Sequence, residues 1–205
     1  MAYYRRNIDS QLEIWRNDSN HKPLLIRGAR QVGKSTAVRQ LGKSFKHYLE
    51  VNLEKQTDFH QFFTDSIDVK RTCQLLSIST GIPVVPGETL LFIDEIQSCQ
   101  NAIRALRYFR EDYPELHVIA AGSLLEFALD ELPSFAVGRI RSFYLYPFSF
   151  DDFLSALGLM QTMLSMPANG ILLASDVDFV NKRAAQAFLC FWHPYVARKC
   201  IVLYP

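Results

Sequence analysis

The sequence predicts an α/β protein, a three-layer α/β/α sandwich on a mostly parallel, five-stranded sheet. Three observations predict it. Short apolar runs alternate along the chain with stretches of helical spacing, the order that parallel crossovers require. The stretch Gly28-Ala29-Arg30-Gln31-Val32-Gly33-Lys34-Ser35 reads G-x-x-x-x-G-K-S and lies between an apolar run and a helix start. Further on, Thr89-Leu90-Leu91-Phe92-Ile93-Asp94-Glu95 carries four consecutive apolar residues into two carboxylates. That is the pattern of a buried parallel strand with its acids at the C-terminal end.

Composition bounds the reading. A chain of 205 residues that is 49% hydrophobic can bury a real core, as one domain or one domain plus a fragment of another. A net charge of +1 gives no global argument for nucleic acid. The early part of the chain is basic (Arg5, Arg6, Arg16, Arg27, Arg30, Arg39, Lys43, Lys46). Part of that excess is assigned to phosphate binding; the rest reads as a solvated face, with a DNA patch as the alternative. Cys73, Cys99, Cys190 and Cys200 form no C-x-x-C pair, and His21, His47, His60, His117 and His193 are scattered. Zinc and a disulfide framework are therefore not expected, and a reducing, cytoplasmic location is. The N-terminus lacks the apolar core of a signal peptide, and no run reaches the roughly 18 apolar residues of a membrane span.

Each element then follows in order. Ile8, Leu12 and Trp15 recur at helical spacing and predict an amphipathic helix over 5–16, ended by the polar turn 17–20. Tyr4 and Arg5 read as surface packing of that helix or as contacts to a nucleotide base. Residues 24–26 form the strand before the glycine-rich motif, and 36–41 the helix after it. Residues 48–52 alternate and predict a second strand. Phe59, Phe62 and Phe63 are spaced as core residues, Leu75, Leu76 and Ile78 follow, and 82–87 is a proline-interrupted connector. After the strand at 89–94, Arg104, Arg107 and Arg110 share one helical face, a solvated stripe or a partner surface. Residues 116–121 are a further buried strand, followed at once by Gly122-Ser123. Residues 140–146 predict the last strand, and 149–154 a capped helix start. Beyond Gly158 no clean period survives, so 1–157 is expected to be the domain and 158–205 a tail.

The chemistry of the motifs fixes their roles. Glycines in a P-loop let backbone N–H groups turn inward and approach a phosphate, and the helix starting near Lys34 aims its positive end at the same anion. Residues 28–36, Gly28 to Thr36, are thus the candidate nucleotide-binding segment. Lys34 supplies a mobile cation for the β- and γ-phosphates, and the Ser35 hydroxyl can complete a Mg²⁺ shell. Asp94, at the ligand-binding end of its strand, is placed to hold Mg²⁺; Glu95 is placed to polarise an attacking water. Ser123 reads as a γ-phosphate sensor or as a helix N-cap. In chain order an extra strand candidate, 48–52, lies between the P-loop strand and the Asp94 strand. That strand and the adjacent glutamate fit P-loop ATPases with an additional strand. A guanine-specific reading fails, because Asn181-Lys182 continues Arg183-Ala184 rather than completing Asn-Lys-x-Asp.

The motif set resembles one family. Leu25 to Ser35, Leu91-Phe92-Ile93-Asp94-Glu95-Ile96-Gln97, Ala121-Gly122-Ser123-Leu124-Leu125, and Val137-Gly138-Arg139-Ile140-Arg141 with Tyr146-Pro147-Phe148-Ser149-Phe150 look like the AAA-type ATP-binding proteins of bacteria and archaea. Those proteins usually carry a C-terminal, nuclease-like domain of unknown function. The resemblance covers about residues 3–157. It implies phosphate and Mg²⁺ binding by Lys34 and Ser35, Mg²⁺ binding by Asp94, water activation by Glu95 and a sensor role for Ser123. It also matches Arg139 and Arg141 to an arginine-bearing segment. After about Leu157 the chain departs from the pattern, and the tail is read either as a helical cap or as the opening of a truncated C-terminal domain.

Two functional classes follow. The first is an ATPase module that binds ATP and Mg²⁺, hydrolyses the γ-phosphate and switches conformation for a protein or nucleic-acid partner. The second is a nucleotide-dependent binding or regulatory module with little turnover. A small-molecule kinase on the same scaffold is disfavoured by Glu95, which favours water as acceptor. ATP is the expected ligand, a homo-oligomer is compatible with either class, and a membrane partner is not expected.

Overall fold

The computed structural model describes residues 3–64, 66–123, 138–149 and 152. The helix that Ser123 would cap and the tail at 158–205 lie outside the described residues. Helix α1 (Asn7–Asn17) precedes strand β1 (Leu24–Arg27), α2 (Lys34–Gly42) and β2 (His47–Asn52). A 3-10 turn (Thr57–Phe62) leads to α3 (Val69–Thr80) and β3 (Thr89–Asp94). A short 3-10 turn (Ile96–Ser98), α4 (Gln100–Asp112), β4 (His117–Ala121) and β5 (Arg141–Tyr144) complete the set. All neighbouring strands are parallel, in the order β2-β3-β4-β1-β5.

Period-two alternation explains the three layers. Leu90 and Phe92 of β3 join Leu24, Ile26, Ile119 and Ala121 in one core, closed by Ile8, Leu12 and Trp15 of α1 and Ala37 and Val38 of α2. Leu91 and Ile93 point the other way, with Leu25, Leu49, Val51, Val118 and Ala120, onto α3 and α4. Every residue of β3 and β4 is buried, so both must be inner strands. The extra strand expected between the P-loop strand and the Asp94 strand in chain order is β2; in the sheet β4 lies between those two strands and β2 lies at the edge beside β3. Only an edge tolerates the polar positions of β2, where Glu50 accepts two hydrogen bonds from Arg39 and one from Tyr48.

Local chemistry sets the helix ends. The Asp9 carboxylate closes back on the Arg6 N–H at 2.6 Å, and Asp68 caps α3 through the N–H groups of Lys70 and Arg71. Gly81, in the left-handed region at φ 71°, ends α3. The helix start expected at 149–154 shows its reciprocal cap: Asp152 N–H donates to Ser149 Oγ at 3.0 Å, and Ser149 N–H to the Asp152 carboxylate at 3.1 Å. The arginine face of α4 is tied down at two positions. Arg110 donates to the His21 carbonyl and to Asn20, and Arg107 pairs with Glu111, which also meets Arg139.

β5 sits against β1 through a contact that needs a glycine. Gly28 has φ 145°, and a Cβ there would lie 2.2 Å from the Leu145 carbonyl oxygen, whose own N–H bonds the Arg27 carbonyl at 2.8 Å. We expect Gly28→Ala to destabilise the fold by about 2–4 kcal/mol, because a backbone atom cannot step aside. Chemical denaturation measures it, and a loss below about 0.5 kcal/mol would refute the packing argument.

Two histidines that are 96 positions apart in sequence stack at the opposite end of the sheet. The His21 and His117 rings lie 3.8 Å apart and 10° from parallel, with Trp15 edge-on to both. His117 Nε2 faces the Arg16 carbonyl at 3.0 Å and so carries the proton, while its Nδ1 is buried without a partner among the described residues. Burial, and then the neighbouring His21, push the His117 pKa down to about 4. The unfolded chain binds the proton near the ordinary value of about 6.5, so stability is lost as pH falls from that value toward 4. The expected loss is on the order of 2–3 kcal/mol. Denaturation at pH 7 and pH 4.5 should show a steeper decline in the wild type than in His117→Gln, and equal slopes would refute the assignment.

Candidate functional site

The carboxyl edges of β1, β4 and β3 bring three loops together. The loop after β1 holds the glycine-rich motif, and α2 begins at Lys34 behind Gly33, which has φ 95°. No side chain caps α2, so its first-turn N–H groups face the loop unclaimed by side chains. A cleft of about 420 Å³ opens there, lined by Arg30, Gln31, Gly33, Lys34, Ser35, Thr36, Arg39, Glu54 and Glu95. Gly28, Ala29 and Val32 of the same motif build the loop from behind. The Lys34 ammonium donates to the Gly28 and Ala29 carbonyls, each at 2.8 Å, and Val32 packs against the α1–α2 core.

Ser35 and Asp94 meet although 59 residues separate them. The Ser35 hydroxyl donates to Asp94 Oδ2 at 2.9 Å, and the Asn52 amide approaches the same oxygen at 3.5 Å. Asp94 is 5% exposed. Burial raises its pKa, and the Ser35 hydrogen bond opposes that rise. Lys34, 6% exposed, is pushed the other way: burial lowers its pKa, while Glu95 and Asp94 act to raise it. Among the described residues, no group of three or more His, Cys, Asp or Glu side chains could hold a metal alone. The paired oxygens of Ser35 and Asp94 instead suit Mg²⁺, a hard cation that takes one or two protein oxygens and completes its shell with waters and phosphates.

Glu95 follows at φ 51°, its N–H held by Asp94 Oδ1 at 3.1 Å and its carboxylate by Gln97 Nε2 at 2.6 Å. Ser123 lies one residue past Gly122, whose N–H reaches the Ile26 carbonyl of β1. β4 also pairs with β3, so Ser123 emerges between the P-loop strand and the Asp94 strand. Among the described residues its Oγ is buried without a hydrogen-bond partner, and the N–H groups it would cap as a helix start lie outside them.

Several neighbours escaped the sequence reading. Arg39 lies on α2 five residues past Lys34 and lines the cleft, so helical spacing was the available signal. Gln97 stands within the quoted Asp94 motif but was given no role. Asn52 ends β2, and only its register opposite Asp94 reveals it. Arg6 carries no local signal at all. Arg139 and Arg141 are not among the cleft-lining residues.

Comparison with known proteins agrees with this fold. No curated protein matches the chain. The AAA domain, an ATP-binding family, matches residues 20–154, from the turn before β1 to just beyond Asp152. That match spans the glycine-rich loop, Asp94, Glu95, Ser123 and all five strands, and the chain belongs to the AAA domain family.

Proposed function

We propose that this chain is an ATPase module that binds Mg²⁺–ATP, hydrolyses the γ-phosphate and passes the resulting change of conformation to a protein or nucleic-acid partner. One observation carries the reading: the Ser35–Asp94 hydrogen bond, 2.9 Å, joins the two halves of a Mg–nucleotide site beside a cleft that Lys34 and Glu95 line. In this reading Gly33, Lys34, Ser35 and Thr36 present backbone N–H groups to the phosphates. Lys34 exchanges its two loop carbonyls for β- and γ-phosphate oxygens. Ser35 and Asp94 hold the metal, which when bound neutralises charge on those oxygens. Glu95 accepts a proton from an attacking water, and the Ser123 hydroxyl, buried without a partner among the described residues, donates to the γ-phosphate or that water.

One contact favours the second reading, a nucleotide-dependent binding module with little turnover. Gln97 Nε2 donates to a Glu95 carboxylate oxygen at 2.6 Å, so that oxygen is already engaged by a neighbouring side chain instead of facing a water. Turnover then requires that contact to loosen.

Lys34→Ala is expected to weaken ATP binding by on the order of 1.5–3 kcal/mol, the worth of a charge-assisted contact. Calorimetry on folded protein measures it, and unchanged affinity would sink the phosphate-site assignment. Asp94→Asn should impair Mg²⁺-dependent binding. Glu95→Gln should keep binding but slow phosphate release by roughly 10²–10⁴-fold. Equal turnover in wild type and Glu95→Gln would leave the binding-module reading standing.

A further inference from the structure

We propose that Arg6 is a positioning residue of the phosphate loop, holding the Val32–Gly33 peptide so that the Gly33 N–H faces the cleft. The inference rests on the loop's being a phosphate site.

All three nitrogens of the Arg6 guanidinium are engaged. Nη1 donates to the Val32 carbonyl at 2.7 Å, Nη2 to the Tyr146 carbonyl at 2.9 Å, and Nε to Asp152 Oδ2 at 3.2 Å. The group lies over the Phe148 ring, 5.1 Å from its centroid. The Arg6 side chain is 11% exposed and that of Asp152 6%, so the fork is fixed in a largely dry environment.

The direction follows from peptide geometry. The described chain has no cis peptide, and in a trans peptide the C=O and the following N–H point opposite ways. Drawing the Val32 carbonyl outward onto Arg6 therefore turns the Gly33 N–H inward. The side is consistent: Gly33 lines the cleft, while a Cβ built on it would lie 3.6 Å from Arg6 Nη1. Glycine reaches positive φ without steric cost and favours no single region, so the setting of the peptide before Gly33, at φ 95°, is left to neighbours such as Arg6. Through the same fork, the segment ahead of α1 and the one beyond β5 are linked to the loop.

The test is calorimetric titration of pyrophosphate and ADP into wild type, Arg6→Lys and Lys34→Ala, each at a temperature well below its own unligated melting point. A lysine provides one donor centre and cannot reach the Val32 carbonyl, the Tyr146 carbonyl and Asp152 in the same geometry. We expect about tenfold weaker pyrophosphate and ADP binding by folded Arg6→Lys, and roughly ten- to hundredfold weaker binding by Lys34→Ala. A residue that only staples the fold would lower the melting point and leave the affinity of the folded protein unchanged. That result, with binding weakened in Lys34→Ala, overturns the positioning role and spares the phosphate site. Unchanged binding in Lys34→Ala overturns the phosphate site and the inference with it. Should Arg6→Lys fail to fold, Asp152→Asn, which removes the charge that orients the fork, is expected to weaken pyrophosphate binding about threefold; unchanged affinity there overturns the proposal.

Discussion

The burial of β3 on both faces is the constraint from which the rest of the structure follows. A strand with six consecutive buried residues cannot lie at an edge or face water on either side. It needs a helical layer above and below, supplied by α1 and α2 on one side and α3 and α4 on the other. It also needs paired neighbours on both flanks, supplied by β2 and β4. Asp94 closes that strand. Its carboxylate is therefore carried to the carboxyl edge with little freedom, and only there can a buried acid find the Ser35 hydroxyl to satisfy it. The site is the polar end of an otherwise apolar strand.

The glycine-rich loop is held by contacts that involve no ligand. Leu145 blocks any side chain at Gly28, the Lys34 ammonium bridges the Gly28 and Ala29 carbonyls, and Arg6 draws the Val32 carbonyl outward. These restraints come from three parts of the chain: β5, the start of α2 and the segment before α1. A loop ordered in this way loses little further entropy when an anion enters, which is the general advantage of a preformed site. The same contacts give the first glycine of the motif a packing reason of its own, independent of any ligand.

What was legible in the sequence was local. Apolar periodicity located α1 and the five strands, and the order of motifs marked Lys34, Ser35, Asp94 and Glu95, because each pattern is written within one turn or one strand. What was not legible joins distant positions. Arg6 and Asp152 stand 146 residues apart, and His21 and His117 read as scattered although their rings stack. The lateral order of strands is likewise a property of pairing, and a strand met second in the chain can lie at the edge. The polar residues of β2 were a signal of that edge, since Tyr48, Glu50 and Asn52 could not all be buried between two neighbours.

Backbone strain marks the same place independently. Among the described residues, two that are not glycine adopt positive φ: Gln31 at 63° and Glu95 at 51°. Such a conformation costs a non-glycine residue on the order of 1 kcal/mol or more, and a fold keeps it where surrounding contacts over-determine the backbone. At Glu95 those contacts are visible, with the backbone N–H tied to Asp94 and the side chain to Gln97. Gln31 and Glu95 come from different loops, after β1 and after β3, yet both line the one cleft. A purely structural loop would relieve this strain with glycine, as Gly81 does at the end of α3. A glycine at the strained turn that follows Asp94 would give up the Gln97 contact, so the Glu95 carboxylate is itself part of what holds the conformation.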